Sequence, residues 1–224
     1  RGPDGAATAY FGDIIANLYA VDATTGELVW QSSPDEHHSA TLTGTPAYAA
    51  GKLYVPVSSL EVVTAANPEY ACCTFRGHVM AVDADNGSVI WDSYAIPSPP
   101  ASVGTTSAGT DMLGPSGAPV WTSPPLDMDK NLLIFGTGEN YSSPADTNSD
   151  AVIAVALDTG ERLWSRQTFP GDAWNVACMM ADNPNCPEED GPDYDQASSP
   201  LLVDIGEGKT VVVAGQKDGR VFAL

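Results

Sequence analysis

The sequence contains 224 residues, 43% of them hydrophobic, so it is long enough to bury a sizeable core, and no run of 18 apolar residues suggests a membrane span. Nine basic residues stand against 29 acidic ones, and the formal charge of -20 repels phosphate backbones, which argues against nucleic acid as a partner. A secretory signal pattern is not recognisable, so we expect an export signal to have been removed or to lie outside this sequence.

A repeated segment organises the chain. It reads AVDATTGELVW at 20–30, AVDADNGSVIW at 81–91 and AVALDTGERLW at 154–164, and a further copy begins at GRVFAL and stops at Leu224. Every complete copy places a glycine four residues before a tryptophan. Self-similarity at a fixed offset indicates a repeat architecture.

Each copy predicts a β-hairpin. Alternating apolar residues form the first strand, an Asp-Thr-Gly or Asp-Asn-Gly cluster makes a tight turn, and a short apolar stretch forms the returning strand. Further short strands precede the second, third and fourth hairpins, so one unit has about four strands, which is typical of a propeller blade. We therefore predict an all-β propeller in which each recurrent tryptophan packs between neighbouring blades.

The repeats lie near 8–31, 41–95 and 117–168, with a truncated one at 197–224, in a single partial propeller domain at 1–224. Tryptophan-to-tryptophan spacings of 61 and 73 residues exceed the ~40 to 50 of common propeller repeats, so each blade is expected to carry a loop insertion, with the insertions on one face. A closed propeller needs about four blades or more to leave no exposed edge. We therefore interpret the chain as a fragment of three to four blades, roughly half of a ring.

The first part of the chain has little predicted chemistry. The lead before the first hairpin is expected to belong to a strand of a further blade. His37 and His38 follow that hairpin in a polar linker, where we favour exposed loop histidines over a metal site with Asp35 or Glu36.

The adjacent pair Cys72 and Cys73 lies in the insertion of the second blade. Neighbouring α-carbons are about 3.8 Å apart, less than an ordinary disulfide prefers, so a bridge between these residues would be a strained small ring. Strain of this kind is often kept at a ligand site. Two free buried thiols are the alternative, because four cysteines are few for a disulfide scaffold.

The third blade contains a tryptophan that departs from the repeat pattern. Trp121 precedes its strand, whereas the docking tryptophans end theirs, and this position suits either a ligand-facing ring or ordinary core packing. Glu139 and Asn140 follow a Gly-Thr-Gly turn and offer hard oxygen ligands at a strand end.

A long acidic loop follows the third hairpin, with Asp172 and Asn175 near its start. Cys178 and Cys186 lie eight positions apart, which is compatible with a loop-closing disulfide. Neither cysteine pair has CxxC spacing, so zinc binding and c-type haem attachment are unsupported. Lys217 occupies a Lys-Asp-Gly turn, where a solvated lysine is the ordinary expectation.

Five stretches carry a family resemblance when they are taken together in chain order. They are TGTPAYAAGKLYVPVSSLE, ACCTFRG, the Trp121 segment through GTGENYS, PGDAWN and QKDG. This series, which spans nearly the whole chain, resembles the quinoprotein alcohol dehydrogenases, which bind pyrroloquinoline quinone (PQQ) on an eight-bladed propeller. The resemblance implies PQQ and a calcium ion as cofactors, with a lanthanide as the other candidate metal.

The resemblance also implies roles for individual residues around the quinone. Cys72 with Cys73 would cover one face of the flat cofactor, and Trp121 would support the other. Further implied contacts come from basic side chains facing the quinone oxygens and from hydroxyl groups. These residues are Arg76, Lys217, Ser58 and Ser59.

The implied metal ligands and the general base follow from the same comparison of motifs. Glu61 matches the first calcium ligand, and Asn140 is our choice for the second, although Glu139 occupies the strict position. The ion would polarise the quinone carbonyl as a Lewis acid. Family members carry an aspartate directly after the loop tryptophan, but this sequence has Asn175, which accepts no proton usefully near neutral pH. Asp172, three residues earlier, is the substitute candidate.

The reaction implied by the resemblance is the oxidation of an alcohol, secondary or polymeric in the manner of polyvinyl alcohol, by hydride transfer to the quinone. Electrons would pass to a cytochrome c, whose haem would belong to a missing or partner domain, in the periplasm or outside the cell. The alternative is a non-catalytic propeller of the outer-membrane assembly type that presents binding surfaces. Convergence of Cys72, Trp121, Asn140 and Lys217 on one site would distinguish the enzyme from the scaffold.

Overall fold

A computed structural model describes residues 7–224 of the chain. The lead expected to belong to a strand of a further blade falls mainly on residues 1–6, outside the described residues. From residue 7 onward, the polypeptide is almost entirely strands and loops.

Four antiparallel sheets follow one another along the chain, and we call them blades 1 to 4. Blade 1 has three strands: β1 (Thr8–Gly12), β2 (Leu18–Asp22) and β3 (Leu28–Ser32). Blade 2 has five: β4 (Ala40–Thr41), β5 (Ala47–Ala49), β6 (Lys52–Ser59), β7 (His78–Asp83) and β8 (Val89–Tyr94). Two small sheets come next, made of β9 (Ala101–Thr105) with β10 (Asp111–Gly114), and β11 (Ser116–Gly117) with β14 (Asn140–Ser142). Blade 3 has four strands: β12 (Leu126–Asp127), β13 (Leu132–Gly136), β15 (Ala151–Ala156) and β16 (Arg162–Gln167). Blade 4 has three: β17 (Leu201–Asp204), β18 (Thr210–Gly215) and β19 (Val221–Ala223).

The repeated turns fold as the sequence predicts, and the reason is local. The Asp22 carboxylate accepts hydrogen bonds from the amides two and three residues later, and Asp83 does the same in blade 2. Gly26 and Gly87 complete these turns with φ angles of 76° and 77°, a left-handed conformation that glycine adopts without steric cost.

Alternate residues of the inner strands face opposite neighbours. Leu53, Val55 and Val57 of β6 join an apolar cluster shared with blade 1, whereas Tyr54 joins the cluster shared with blade 3. Ile134 of β13 joins a third cluster with blade 4. Because both faces of these strands are buried between blades, they read as nearly continuous apolar runs in the sequence.

The recurrent tryptophans dock between blades. The indole N–H donates to a backbone carbonyl of the next blade, at 3.0 Å for Trp30 and 3.2 Å for Trp91. The rings lie against Gly87 and Gly160, where a β-carbon would be only 2.9 and 2.6 Å from a ring carbon. The docking glycine belongs to the repeat that follows each tryptophan. For Trp164, which is 36% exposed, that repeat is the fourth copy, and the sequence of this copy stops before the turn glycine.

The insertions gather at one end of the blades, which we call the upper end. The segment after β6 leaves at Ser59 and returns at His78, which pairs with Val57. The segment after β13 leaves at Gly136, which pairs with Val152. The insertions contain a short helix, α1 (Glu61–Thr64), and a 3-10 helix (Val176–Met179).

The all-β propeller class and the count of three to four blades are confirmed. The exact repeat boundaries and the single-domain assignment stay predictions. Neither helix within residues 7–224 is long and apolar enough to cross a membrane.

Candidate cofactor-binding and active site

A cavity of about 390 Å³ opens at the upper end, among loops of blades 2, 3 and 4. Its walls combine aromatic rings, hydroxyl groups, carboxylates and one lysine. Its lining residues that matter to the chemistry are Thr41, Ser58, Ser59, Trp121, Glu139, Tyr141, Trp174, Asp193, Asp195 and Lys217. Five residues singled out from the sequence, Ser58, Ser59, Trp121, Glu139 and Lys217, therefore meet at one place.

Trp121 presents a ring to this cavity together with the ammonium group of Lys217. The Lys217 Nζ atom lies 5.8 Å from the centroid of the Trp121 ring, within range of a cation–π interaction. The backbone around Trp121 is held tightly, since a β-carbon at Gly44 would lie 3.2 Å from the Trp121 carbonyl oxygen. Trp121 precedes its strand, and its ring therefore forms part of the cavity wall.

An acidic cluster, Glu139 with Asp193 and Asp195, lies beside the lysine. One carboxylate oxygen of each residue lies within 4.8 Å of the others. Lys217 Nζ is 2.7 Å from Asp193 Oδ1 and 2.8 Å from Asp195 Oδ2. A single cation therefore balances three acids, and these acids repel one another in a partly dry site.

The ionisation of these groups reflects that crowding. Burial and the charge of Asp195 raise the pKa of Glu139 well above its ordinary value. Burial and Asp195 also raise the pKa of Asp193. For Lys217, burial alone would lower the pKa, but Asp195 and Asp193 outweigh it and raise the pKa.

Asp172 holds the acidic segment in place. Its side chain is buried, and its two oxygens accept hydrogen bonds from the amides of Asp193 at 3.2 Å and Tyr194 at 2.8 Å. Burial raises the pKa of Asp172, while these two amides oppose the shift. Asp172 does not line the cavity, although it controls where Asp193 lies.

Asn175 is engaged in local structure. Its amide donates to the carbonyls of Tyr141 and Asn185, and its Oδ1 accepts from the Ala177 amide at the start of the 3-10 helix. The side chain is fully buried and lies outside the cavity lining.

Glu61 and Asn140 are buried close to the cavity, without lining it. The Glu61 carboxylate accepts hydrogen bonds from the Tyr70 hydroxyl at 2.6 Å and from the amides of Thr74 and Phe75 at 2.9 and 2.8 Å. Asn140 donates to a carbonyl of β11 at 2.9 Å and accepts from a loop amide at 2.8 Å. Both side chains thus bind the protein's own loops.

Cys72 and Cys73 are joined as a disulfide, which answers the question the sequence left open. The pair is buried in the apolar cluster that includes Tyr141 and has Val62 packed against it, and both of these residues also line the cavity. The disulfide thus backs one part of the cavity wall at the same end of the blades as Trp121.

Arg76 lies in a neighbouring cavity of about 410 Å³ on the same end of blade 2. Its guanidinium group stacks 3.9 Å from the centroid of the Tyr94 ring and donates to the carbonyls of Ile96 and Pro97. His37 borders the same cavity, and its ring stacks on that of His38.

The second disulfide, Cys178–Cys186, forms as predicted and closes the acidic loop. The loop then docks on blade 2 through Asn183 and Asn185, whose amides donate to carbonyls of residues 65–70. Within residues 7–224, every cysteine is therefore paired.

Asp193 and Asp195 are the cavity residues that the sequence reasoning missed. The stretch PDYDQ contained a signal, because acids two positions apart on an extended segment point to the same side. The long loop before them hid their relation to Trp121, since it separates the two segments by about seventy positions.

Comparisons with known proteins identify the family to which the chain belongs. The profile of a family described as outer membrane protein assembly factor BamB, a PQQ-repeat family, matches residues 8–224. A polyvinylalcohol dehydrogenase from a Pseudomonas species is 36% identical over 225 residues, which cover 99% of this chain and 35% of that protein. The chain therefore spans about a third of the length of the curated relatives it matches.

Two solved structures are similar in fold. The quinohemoprotein alcohol dehydrogenase ADHIIG from Pseudomonas putida HK5 superimposes with a TM-score of 0.68 at 25% identity, covering 97% of this chain and 31% of that chain. BamB from Moraxella catarrhalis superimposes with a TM-score of 0.53 at 17% identity, covering all of this chain and 48% of that chain. The second likeness concerns the fold alone.

Proposed function

The chain belongs to the PQQ-repeat propeller family, and from that premise we propose that it forms the cofactor-binding part of a quinoprotein alcohol dehydrogenase. One observation carries the proposal: Trp121, Glu139, Asp193 and Lys217 line a single cavity at the upper end of the blades. A propeller that only presents binding surfaces has no need for an aromatic ring, a cation and clustered acids in one cavity.

The residues present fit a flat, anionic quinone. Trp121 and Trp174 provide aromatic surface, Ser58 and Ser59 provide hydroxyl donors, and Lys217 provides a cation for carboxylate or carbonyl oxygens. PQQ bound in this cavity would supply the acceptor for the hydride of the alcohol carbon.

The acidic cluster fits a hard cation. Three carboxylates within 4.8 Å of one another repel each other, and a divalent or trivalent ion with oxygen ligands relieves that repulsion. We propose Glu139 and Asp195, the two buried members of the cluster, as the residues that would hold it, with calcium or a lanthanide as the metal. Such an ion would supply Lewis-acid polarisation of the quinone.

Asp193 is the proposed general base. Its side chain is 31% exposed in the cavity, so it can meet the substrate hydroxyl, whereas the Asp195 side chain is 6% exposed. Burial raises its pKa, which moves a carboxylate toward the range where it accepts protons effectively. Asp172 would act through Asp193 by fixing its backbone, and Lys217 would hold the carboxylate in position.

The remaining predicted residues receive supporting roles in this proposal. Glu61 and Asn140 position loops around the cavity through their buried hydrogen bonds. The Cys72–Cys73 disulfide shapes the wall behind Tyr141. The roles of Arg76 and Asn175 are structural, since their polar atoms bind the protein's own carbonyls.

The paired cysteines support a place outside the cytoplasm. Disulfides form and persist in oxidising compartments, so we propose that the protein works in the periplasm or is secreted. There a cytochrome c would take the electrons. The substrate would be a secondary or polymeric alcohol, and polyvinyl alcohol is the first to test because a polyvinylalcohol dehydrogenase is among the relatives.

The test of the proposed function is reconstitution. The purified protein is incubated with PQQ and calcium chloride, free cofactor is removed by gel filtration, and the quinone absorbance is followed. We expect the absorbance to elute with the protein and to bleach when a secondary alcohol is added. A folded protein that retains no PQQ and oxidises no alcohol would favour the alternative, a binding module of the outer-membrane assembly type.

The general base is tested by Asp193→Asn. We expect kcat to fall by about 10² to 10⁴, the usual contribution of a positioned base, with PQQ content unchanged. Asp85→Asn, at an exposed acid in the blade 2 turn, is the matched control and should keep wild-type kcat. Wild-type turnover by Asp193→Asn would remove Asp193 from the mechanism.

A further inference from the structure

A group of buried polar side chains without partners lies between blades 3 and 4, apart from the acidic cluster. Asp150 is fully buried, and no hydrogen-bond donor among residues 7–224 reaches either of its carboxylate oxygens. The side-chain oxygen of Gln196 and both polar atoms of the Gln216 amide are also unpartnered, in residues 1% and 5% exposed. Buried polar atoms are rarely left unsatisfied in folded proteins, so several together indicate an unseen ligand.

The three side chains belong to one interface. Val212 and Ala214 of β18 pack against blade 3, and Gln216 comes next on the same alternation. The Thr168 hydroxyl connects the backbone of Asp150 to the side chain of Gln196. It donates to the Asp150 backbone carbonyl and accepts from Gln196 Nε2, both at 2.6 Å.

Other charged side chains act on Asp150. Burial raises the pKa of Asp150 to about 9, and the charges of Asp172, Asp195 and Asp193 add to the increase, opposed by Lys217. Among the charged groups that act on Asp150, three acids therefore stand against one lysine. A proton on Asp150 would lower the charge and serve one amide oxygen, but a single proton cannot satisfy both amide oxygens and the second carboxylate oxygen as well.

We propose that Asp150, Gln196 and Gln216 bind a calcium ion that joins blade 3 to blade 4. The donors are all oxygens, one carboxylate and two amide carbonyls, which suits a hard cation. Calcium accepts irregular coordination, and water molecules complete its shell of six to eight ligands. Magnesium requires near-ideal octahedral geometry and is disfavoured.

This second ion would also support the cavity. Gln196 follows Asp195, and Gln216 precedes Lys217, whose amide donates to the Asp195 carbonyl at 3.0 Å. Binding at the interface therefore fixes the two segments that carry the acidic cluster and its lysine. The inference does not depend on the proposed function, because the ion binds without PQQ.

The experiment counts bound calcium. Apo-protein prepared with a chelator is saturated with calcium, passed through a desalting column and analysed for metal per chain, for wild type, Asp150→Asn and Glu139→Gln. We expect Asp150→Asn to lose one equivalent that Glu139→Gln retains, and calcium to raise the Tm of wild type by more than it raises the Tm of Asp150→Asn. Glu207→Gln, whose side chain is 86% exposed, should match wild type in both measurements.

A second variant guards against misfolding of the first. Gln216→Leu keeps a similar volume and all native charges, and we expect its calcium affinity at this site to fall at least tenfold. The proposal is overturned if Asp150→Asn binds as much calcium as wild type, since Asp150 would then hold a proton or water alone. If Glu139→Gln binds wild-type levels while Asp150→Asn loses an equivalent, the interface site stands and the cavity metal of the proposed function fails.

Discussion

At the scale of single residues, His78 shows how blade 2 uses a buried charge. Its Nε2 lies 3.1 Å from Asp35 Oδ2 and 3.8 Å from Asp92 Oδ1, and its other ring nitrogen contacts the Arg76 carbonyl at 3.0 Å. Burial alone would lower the pKa of His78, but the close contact with Asp35 and the charges of Asp92 and Asp35 outweigh it and raise the pKa. In turn, His78 lowers the pKa of Asp35 against the effect of burial.

The consequence is a pH dependence of stability. The pKa of His78 is higher in the folded state than in the unfolded state, where it is about 6.5. The contribution of His78 to the free energy of unfolding is therefore complete below about pH 6.5, and it is lost as the pH rises through the folded-state pKa. We expect wild type to lose about 1.5 to 3 kcal/mol of unfolding free energy, the range for a polar contact that involves a charged group, as pH rises above about 6.5.

Urea unfolding at several pH values measures this loss. His78→Gln should remove most of the slope, whereas His38→Gln, at a more exposed linker position, should keep it. Equal slopes in wild type and His78→Gln would show that the charge of His78 does not stabilise the fold.

At the scale of elements, the docking of a tryptophan on a glycine joins neighbouring blades. Gly26 and Gly160 occupy equivalent hairpin turns with φ angles of 76° and 71°. A β-carbon at Gly160 would lie 2.6 Å from the Trp91 ring, whereas nothing lies within 4 Å of one at Gly26. Comparing substitutions at Gly26 and Gly160 therefore separates the effect of the left-handed backbone, which both share, from the effect of packing against a tryptophan, which only Gly160 has.

Alanine at these two positions should have unequal effects. Both substitutions should lower the free energy of unfolding by about 1 to 2 kcal/mol, because each places a non-glycine residue in the left-handed conformation. Gly160→Ala adds the cost of overpacking against the indole, about 1 to 3 kcal/mol more. Chemical denaturation measures both changes, and equal destabilisation of the two variants would contradict the docking role assigned to Trp91.

At the scale of the whole molecule, the net charge of -20 opposes compaction. Only nine basic residues are present, and the acids that pair with them at the surface leave most of the negative charge unbalanced. Salt screens such repulsion, with a Debye length of about 10 Å at 0.1 M and 3 Å at 1 M. Stability should therefore depend on ionic strength.

We expect Tm to rise by several degrees when sodium chloride is increased from 0.05 to 1 M, in thermal unfolding at pH 7. Sodium, potassium and choline chloride should act alike, because screening depends on ionic strength rather than on the identity of a monovalent cation. A Tm that falls with salt would mean that attractive ion pairs outweigh the self-repulsion.

The sequence by itself determined the features that depend on neighbours along the chain. The Asp-to-Gly turns and the short apolar runs that become β6 and β13 indicate hairpins and blades, because turn hydrogen bonds and strand-length apolar runs are local. The recurrence of a tryptophan at the same place in every complete copy predicted the docking of Trp30 and Trp91 between blades. The pairing of Cys178 with Cys186 followed from their short separation.

Only the tertiary structure decided which side chains share the cavity. Loops after β6, β13 and β16 are placed by contacts between distant segments, such as Asp172 with the amides of Asp193 and Tyr194. Those contacts bring Asp193 and Asp195 beside Lys217 and leave Glu61 bound to its own loop. Side-chain direction in a long loop depends on such packing, which leaves no periodic trace in the sequence.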